Sequence, residues 1–327
     1  MIIKFFKNTY PLQIGLILLV SLVLWIPAGI WPREPYLVIN NAQPLYNLLI
    51  KGHFLTNYTI NTILSLLLVL GEAYLVNKLV NRFDLISKTT CLPAFLYILA
   101  MGFHPEGLTI HPTLIANLFL LLITHNLFYL NDEQGEQQAV LSIGFYLGMG
   151  SLFYFPIIFL LPILCIIIPT ISIRMIKDTL IFFMGIFLPY YFLIFAYFLL
   201  DKLPAIPTYY TPLLHTLFSG FSGHRALDYV AAAFITVIFL LSILKTTRSL
   251  FETVIKTRRK IIFLLLLTLG LTAGLGLSSH PFSDGIMIFF PITIPIIGSA
   301  LTNVKSSLLA DFMLLFFVAF LIIYRVF

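Results

Sequence analysis

Apolar residues run through this chain in long blocks rather than alternating with polar ones. Eleven blocks stand out, at 11–29, 60–77, 90–103, 111–130, 138–153, 155–171, 178–200, 228–245, 260–278, 284–301 and 306–325. A helix that crosses a bilayer needs about 20 such residues, within a range of about 17–25. Strands of a transmembrane barrel would instead alternate over about ten residues, which the unbroken run from Ile261 to Leu277 does not. The pattern predicts an all-α, polytopic transmembrane helical bundle of about 11 spans in a single integral membrane domain, 1–327. The third block is short. The fifth and sixth are parted only by Phe153-Tyr154-Phe155-Pro156, so they form either a tight helical hairpin or one kinked span.

Basic residues decide between these two. Cytoplasmic segments of membrane proteins carry an excess of Lys and Arg. With eleven spans and an inner N-terminus, fourteen of the 19 basic residues fall inside, including the cluster Arg248, Lys256, Arg258, Arg259 and Lys260. The five left outside are Arg33, Lys51, Lys202, Arg225 and Arg325. Merging the fifth and sixth blocks would move the cluster outside, so the hairpin is expected, with the C-terminus outside. Lys4 and Lys7 ahead of the first block resemble a signal sequence. Ile26-Pro27 before Ala28-Gly29 breaks the cleavage pattern, however, and the segment reads as a span that stays in place.

Composition agrees. Of the 327 residues, 60% are hydrophobic and only 10% charged, against roughly 25% charged in soluble domains. A soluble enzyme is excluded. The net charge of +6 is accounted for by the topology rule, so no nucleic-acid partner is expected; membrane lipid is. Cys91 and Cys165 form no CxxC pair, and neither a disulfide nor a zinc site is expected.

Ionisable groups inside spans are scarce and therefore informative. Glu72 lies toward the inner end of the second span near Lys78, where it would snorkel or pair. Asp311 lies one turn into the last span, close to Lys305, and reads as half of an interfacial ion pair. The spaced glycines Gly144, Gly148 and Gly150 permit either close helix approach or a groove at the Gly150–Pro156 break.

The predicted outer side is richer. Six of the seven histidines fall there: His53, His104, His111, His215, His224 and His280. Glu34, Glu106, Asp201, Asp228, Asp284 and Arg225 join them. His104-Pro105-Glu106-Gly107 and His111-Pro112 bracket one link, and His280-Pro281-Phe282-Ser283-Asp284 opens another. Such a set suits a divalent metal, a phosphate or an activated hydroxyl, although no two histidines have the i, i+4 spacing of a strong metal motif. Glu34 and Glu106 are the candidate catalytic acids. His53, His104, His111, Arg225, His280 and Asp284 are the candidate substrate-binding residues. The first outer segment, 31–58, is expected to hold one or two surface helices, and 201–227 an ordered cap.

Three stretches carry a resemblance: Leu48-Leu49-Ile50-Lys51-Gly52-His53, His111 to Phe119, and Leu141 to Pro156. They resemble the C-type membrane glycosyltransferase superfamily, whose members use a polyprenyl-phosphate-linked sugar. The likeness covers roughly residues 1–200, leaving 201–227 as the cap and 228–327 as C-terminal spans. The Leu141–Pro156 run, with Phe187-Leu188-Pro189-Tyr190-Tyr191-Phe192, is similar also to an uncharacterised bacterial family of polytopic membrane proteins. The resemblance implies a bacterial inner-membrane enzyme acting at the outer face. It departs where the superfamily carries a first-loop acidic pair: this chain has Asn40-Asn41, and an amide cannot act as a general base. Two other roles compete with transfer. One is a non-catalytic scaffold or assembly partner in an envelope or secretion complex; the other is a lipid or small-molecule transporter.

Overall fold

Among the described residues, the long helices Pro11–Ile30 and Met175–Leu199 leave most of their surface open, whereas the short helices Leu92–Phe103 and Phe290–Thr302 are almost wholly buried. The computed structural model describes residues 5–6, 11–30, 43–51, 57–86, 89–132, 137–172, 174–216, 255–277, 282–302, 311, 315 and 318. Among these the regular elements are helical, with no strand. They are α1 (Pro11–Ile30), α2 (Pro44–Lys51), α3 (Tyr58–Arg82), α4 (Leu92–Phe103), a 3-10 turn (Pro105–Leu108), α5 (Pro112–Asp132) and α6 (Gln137–Phe153). A second 3-10 segment (Phe155–Leu160) follows, then α7 (Leu161–Ile171), α8 (Met175–Leu199), α9 (Ala205–Thr216), α10 (Ile255–Leu277), α11 (Phe282–Met287) and α12 (Phe290–Thr302). The eighth apolar block, most of the eleventh, and the candidate residues Glu34, His53, Arg225 and His280 lie outside the described residues.

Among the described residues, four helices, α1, α3, α5 and α8, are long and apolar enough to cross a membrane. On α1, Leu19 and Val23 stand out from the bundle, as do Phe187 and Tyr191 on α8. Continuous rows of exposed apolar side chains suit lipid rather than water. By contrast, α4 is buried from Leu92 to Gly102. With 12 residues and a rise of 1.5 Å per residue it spans about 18 Å, less than the roughly 30 Å of a hydrocarbon core.

Side-chain pairings fix the directions. α3 and α4 are antiparallel: Asn81 meets Thr90 at one end, Glu72 meets Tyr97 midway, and Ser65 meets Gly107 at the other. α5 runs with α3, because Asn61 bonds Ile110 while Arg82 reaches His125. α6 returns, its Phe153 stacking on Phe119 near the start of α5.

α6 and α8 then lie parallel and in backbone contact. A Cβ at Gly144 would collide with Phe182 O, and one at Gly185 with Leu141 O. A Cβ at Gly148 would sit 2.7 Å from Ile186 O. Further along the same seam, Ser151 Oγ and Tyr190 OH are 2.7 Å apart. Small residues at this spacing allow such approach. Because α6 and α8 point the same way, the chain between them must travel back, which is the hairpin expected across Tyr154. The break there is an extended residue, Tyr154 at φ −142 and ψ 102, followed by Pro156. Gly150 packs against Ile157 and Phe119 rather than opening a groove.

The far end of the bundle is tied by charge. Lys260 Nζ on α10 bonds Asp132 Oδ2 at 2.7 Å and Phe83 O at 3.3 Å, and lies over the Phe83 ring. Lys256 Nζ reaches Asp132 O. Lys78, Arg82, Arg174, Lys177, Arg258 and Arg259 belong to helix ends on this same side. The described residues thus have a Lys260 end, rich in basic side chains, and a His111 end. Ser172 and Asp178 hydrogen-bond to each other at the Lys260 end, where the first turn of α8 favours an anion.

Of the two expectations for intramembrane acids, the one for Glu72 changes. Glu72 does not reach Lys78; it is fully buried and accepts a hydrogen bond from Tyr97 OH at 2.8 Å, while Lys78 lies over the Tyr74 ring. The reason is helical phase: Glu72 and Ala73 face α4, whereas Tyr74 and Lys78 face outward. Asp311 is buried, and Lys305 lies outside the described residues.

Candidate functional site

His104 and His111 each stand immediately before a proline. The proline ring disfavours helical backbone in the residue before it, so α4 stops at His104, which is extended at φ −78 and ψ 126. Pro105 starts the 3-10 turn and Pro112 starts α5, both at first positions where a missing N–H costs nothing. The sequence alone therefore dictates a short, kinked link with a histidine at each end and Glu106 between.

Hydrogen bonds from two neighbouring helices hold this link, and a third helix backs them. Ser65 Oγ on α3 donates to Gly107 O at 2.7 Å, and Trp25 Nε1 on α1 donates to Ser65 Oγ at 3.4 Å. Ile110 N donates to Asn61 Oδ1 at 2.6 Å, and Tyr46 OH on α2 donates to Ile110 O at 2.8 Å. Burial pushes the Tyr46 phenol well above its usual range, so it remains a donor. Residue 107 has to be glycine, because a Cβ there would strike Met101 O.

His104 and His111 are both buried, and Glu106 is partly open. The Thr113 backbone N–H donates to His111 Nδ1 at 3.3 Å, and Thr113 Oγ1 lies 2.7 Å from the same nitrogen. An Nδ1 that accepts leaves the ring proton on Nε2 in the neutral imidazole. That Nε2 lies 3.9 Å from Glu106 Oε2. The separation exceeds a direct hydrogen bond yet orients the imidazole toward the carboxylate. An acceptor hydroxyl could lose its proton to such a group.

A tyrosine cluster occupies the same end of the bundle. Tyr190 meets Ser151, the Tyr197 and Tyr209 rings lie 6.5 Å apart, and Tyr210 packs on Phe155. Burial raises the Tyr210 phenol above its usual range. Leu45 of α2 packs into this cluster, and its neighbour Tyr46 bonds the histidine link, so α2 joins the two. α2 supplies a helix within the first expected outer segment, and α9 covers part of 201–227, whose remainder lies outside the described residues.

Of the eight candidate residues, the structure brings together Glu106 and His111, with His104 two residues before Glu106 at the end of α4. Asp284 lies in α11, whose last residue, Met287, accepts a hydrogen bond from Asn117 Nδ2 at 3.2 Å; α11 thus lies beside the His111 half of α5. Among the described residues, no group of three His, Cys, Asp or Glu side chains is placed to hold a metal ion. The seventh histidine, His125, lies toward the Lys260 end against Arg82 and Phe83. Sequence reading missed the depth of Glu72 and the tyrosine cluster. Neither has a local signal: the first depends on which face of α3 meets α4, and the second needs α6, α8 and α9 to meet.

Comparison with protein-family models, with curated proteins and with solved structures gives no match to the chain. Function is therefore read from residues and geometry.

Proposed function

We propose that this chain is a multi-pass membrane protein that transfers a sugar from polyprenyl phosphate, with Glu106 accepting the proton of the incoming hydroxyl. The observation that carries this reading is the Glu106–His111 pair at the end of the bundle opposite the basic residues. Under the positive-inside rule the His111 end faces away from the cytoplasm, where a lipid-linked sugar of this class is used. The full reading has 11 spans in a bacterial inner membrane, with the N-terminus inside and the C-terminus outside. The tyrosine cluster beside α2 offers aromatic faces and phenol hydroxyls of the kind that suit a sugar. Arg225, His53 and His280 are the groups proposed for the phosphate, and Glu34 for a second carboxylate. No step is assigned to a metal, for which the described residues supply too few ligands.

The decisive experiment reconstitutes the protein in liposomes with polyprenyl-phosphate sugars and compares Glu106→Gln with the parent. General-base catalysis contributes roughly 100-fold or more, so transfer should fall by about that factor while thermal unfolding stays unchanged. Equal transfer by both proteins would refute the assignment.

A second reading, a non-catalytic scaffold in an envelope complex, is favoured by two observations. Asn40-Asn41 occupies the place of the acidic pair, and the histidine link is pinned by hydrogen bonds on both sides of Gly107 and Ile110. Stable protein subunits that co-purify from native membranes, together with full complementation by Glu106→Gln, would select it.

A further inference from the structure

Glu72 is the one charged residue type in the middle of α3, and its side chain is fully buried. Its Oε2 accepts from Tyr97 OH at 2.8 Å, while its Oε1 has no hydrogen-bond partner. The Asn117 carboxamide lies against the same Tyr97 hydroxyl, and Asn117 Oδ1 is likewise buried without a hydrogen-bond partner. Tyr97 and Asn117 are also fully buried. Two acceptor oxygens, one of the carboxyl and one of the carboxamide, are therefore without a donor among the described residues around Tyr97.

Charge balance makes this arrangement specific. A bare carboxylate in a low-dielectric interior is strongly disfavoured unless a positive partner meets it. Among the described residues, the helices packed on α3 offer none: α1, α4 and α12 contain no Lys, Arg or His. On α5 the one imidazole, His125, is engaged with Arg82 at the Lys260 end. Within α3, Lys78 is exposed over Tyr74, and Arg82 lies against the rings of Phe83 and Tyr129. Glu106, on the 3-10 turn, is itself an acid. A neutral glutamine would serve packing alone. An ionisable residue held here with no counter-charge among the described residues points to one taken from outside.

We infer that Glu72, Tyr97 and Asn117 form a binding site for a single positive charge, taken up as a proton or as an alkali cation. The site stands apart from the Glu106 reading and survives its failure. With a proton, Glu72 is a neutral acid whose carbonyl oxygen accepts from Tyr97. With an alkali ion, Glu72 Oε1 and Asn117 Oδ1 are the ligands left open for it.

Two measurements on the full chain in detergent test this. Infrared spectra of the parent and of Glu72→Gln are compared for a protonated-carboxyl band. Thermal midpoints of both are followed in sodium, potassium and choline chloride at one ionic strength. A carboxyl band present in the parent and missing from Glu72→Gln, with no salt preference, assigns the proton. A rise of about 3 °C or more in the parent on saturation with sodium or potassium but not choline, absent in Glu72→Gln, assigns the alkali ion. If the two proteins give superimposable spectra and no cation-specific shift, the site does not exist. Should Glu72→Gln fail to accumulate, Tyr97→Phe replaces it. Loss of the phenol must then shift the carboxyl band or raise the salt concentration at half-effect at least threefold, and no change in either overturns the proposal.

Discussion

At the scale of single residues, buried charges differ by what surrounds them. Lys260 is buried and satisfied by Asp132 and the Phe83 carbonyl. Lys260→Met keeps the apolar stem but leaves Phe83 O and Asp132 without that donor. Losing a charged hydrogen bond of this kind costs about 2 kcal/mol, reduced by the part of Asp132 that water reaches. Thermal unfolding in detergent should therefore show a lower midpoint for Lys260→Met, and a smaller loss for Lys256→Met, whose ammonium is exposed. The histidine link was legible at this scale, since His-Pro at 104 and again at 111 announces two breaks and Glu106 sits between them. Glu72 was legible only as a charge within a span. Its burial against Tyr97 depends on which face of α3 meets α4, and no local pattern states that.

Elements carry a different kind of information. The glycines at 144 and 148 face Gly185 and Pro189 across a seam where backbone meets backbone, whereas Gly15 and Gly71 face open space. Gly185→Ala should then destabilise by about 1–3 kcal/mol through overpacking. Gly71→Ala should cost nothing and gain up to about 1 kcal/mol from helix propensity. Chemical denaturation of the two variants side by side checks the contrast; equal stabilities would show that the seam tolerates separation. The spacing of the small residues was visible in the chain, but their partner helix was not, because Gly185 lies beyond an entire hairpin. Apolar blocks marked helix positions to within a few residues, as Pro11–Ile30 against 11–29 shows. They did not distinguish flanking α1 from central α4, since both are apolar and only neighbours decide which is lined by lipid.

For the molecule as a whole, the distribution of charge is the coarse variable. Helix ends carrying Lys78, Arg82, Lys177, Lys256 and Lys260 gather on one side, and the His111 link, α2 and α9 on the other. Sidedness follows from the positive-inside rule and is directly measurable. With Cys91 and Cys165 replaced by serine, a membrane-impermeant maleimide applied to intact cells should label Lys202→Cys, which is exposed, and spare the exposed Lys177→Cys. Labelling in the opposite sense would invert the orientation. The parallel register of α6 and α8 bears finally on how such a chain is made. Residues 144 and 148 leave the ribosome well before their docking surface at 182–189 has been synthesised. Until then this stripe of bare peptide must wait in the bilayer, its closest companion still to be translated. Assembly of this half of the protein is thus timed by the completion of α8 rather than by the entry of α6.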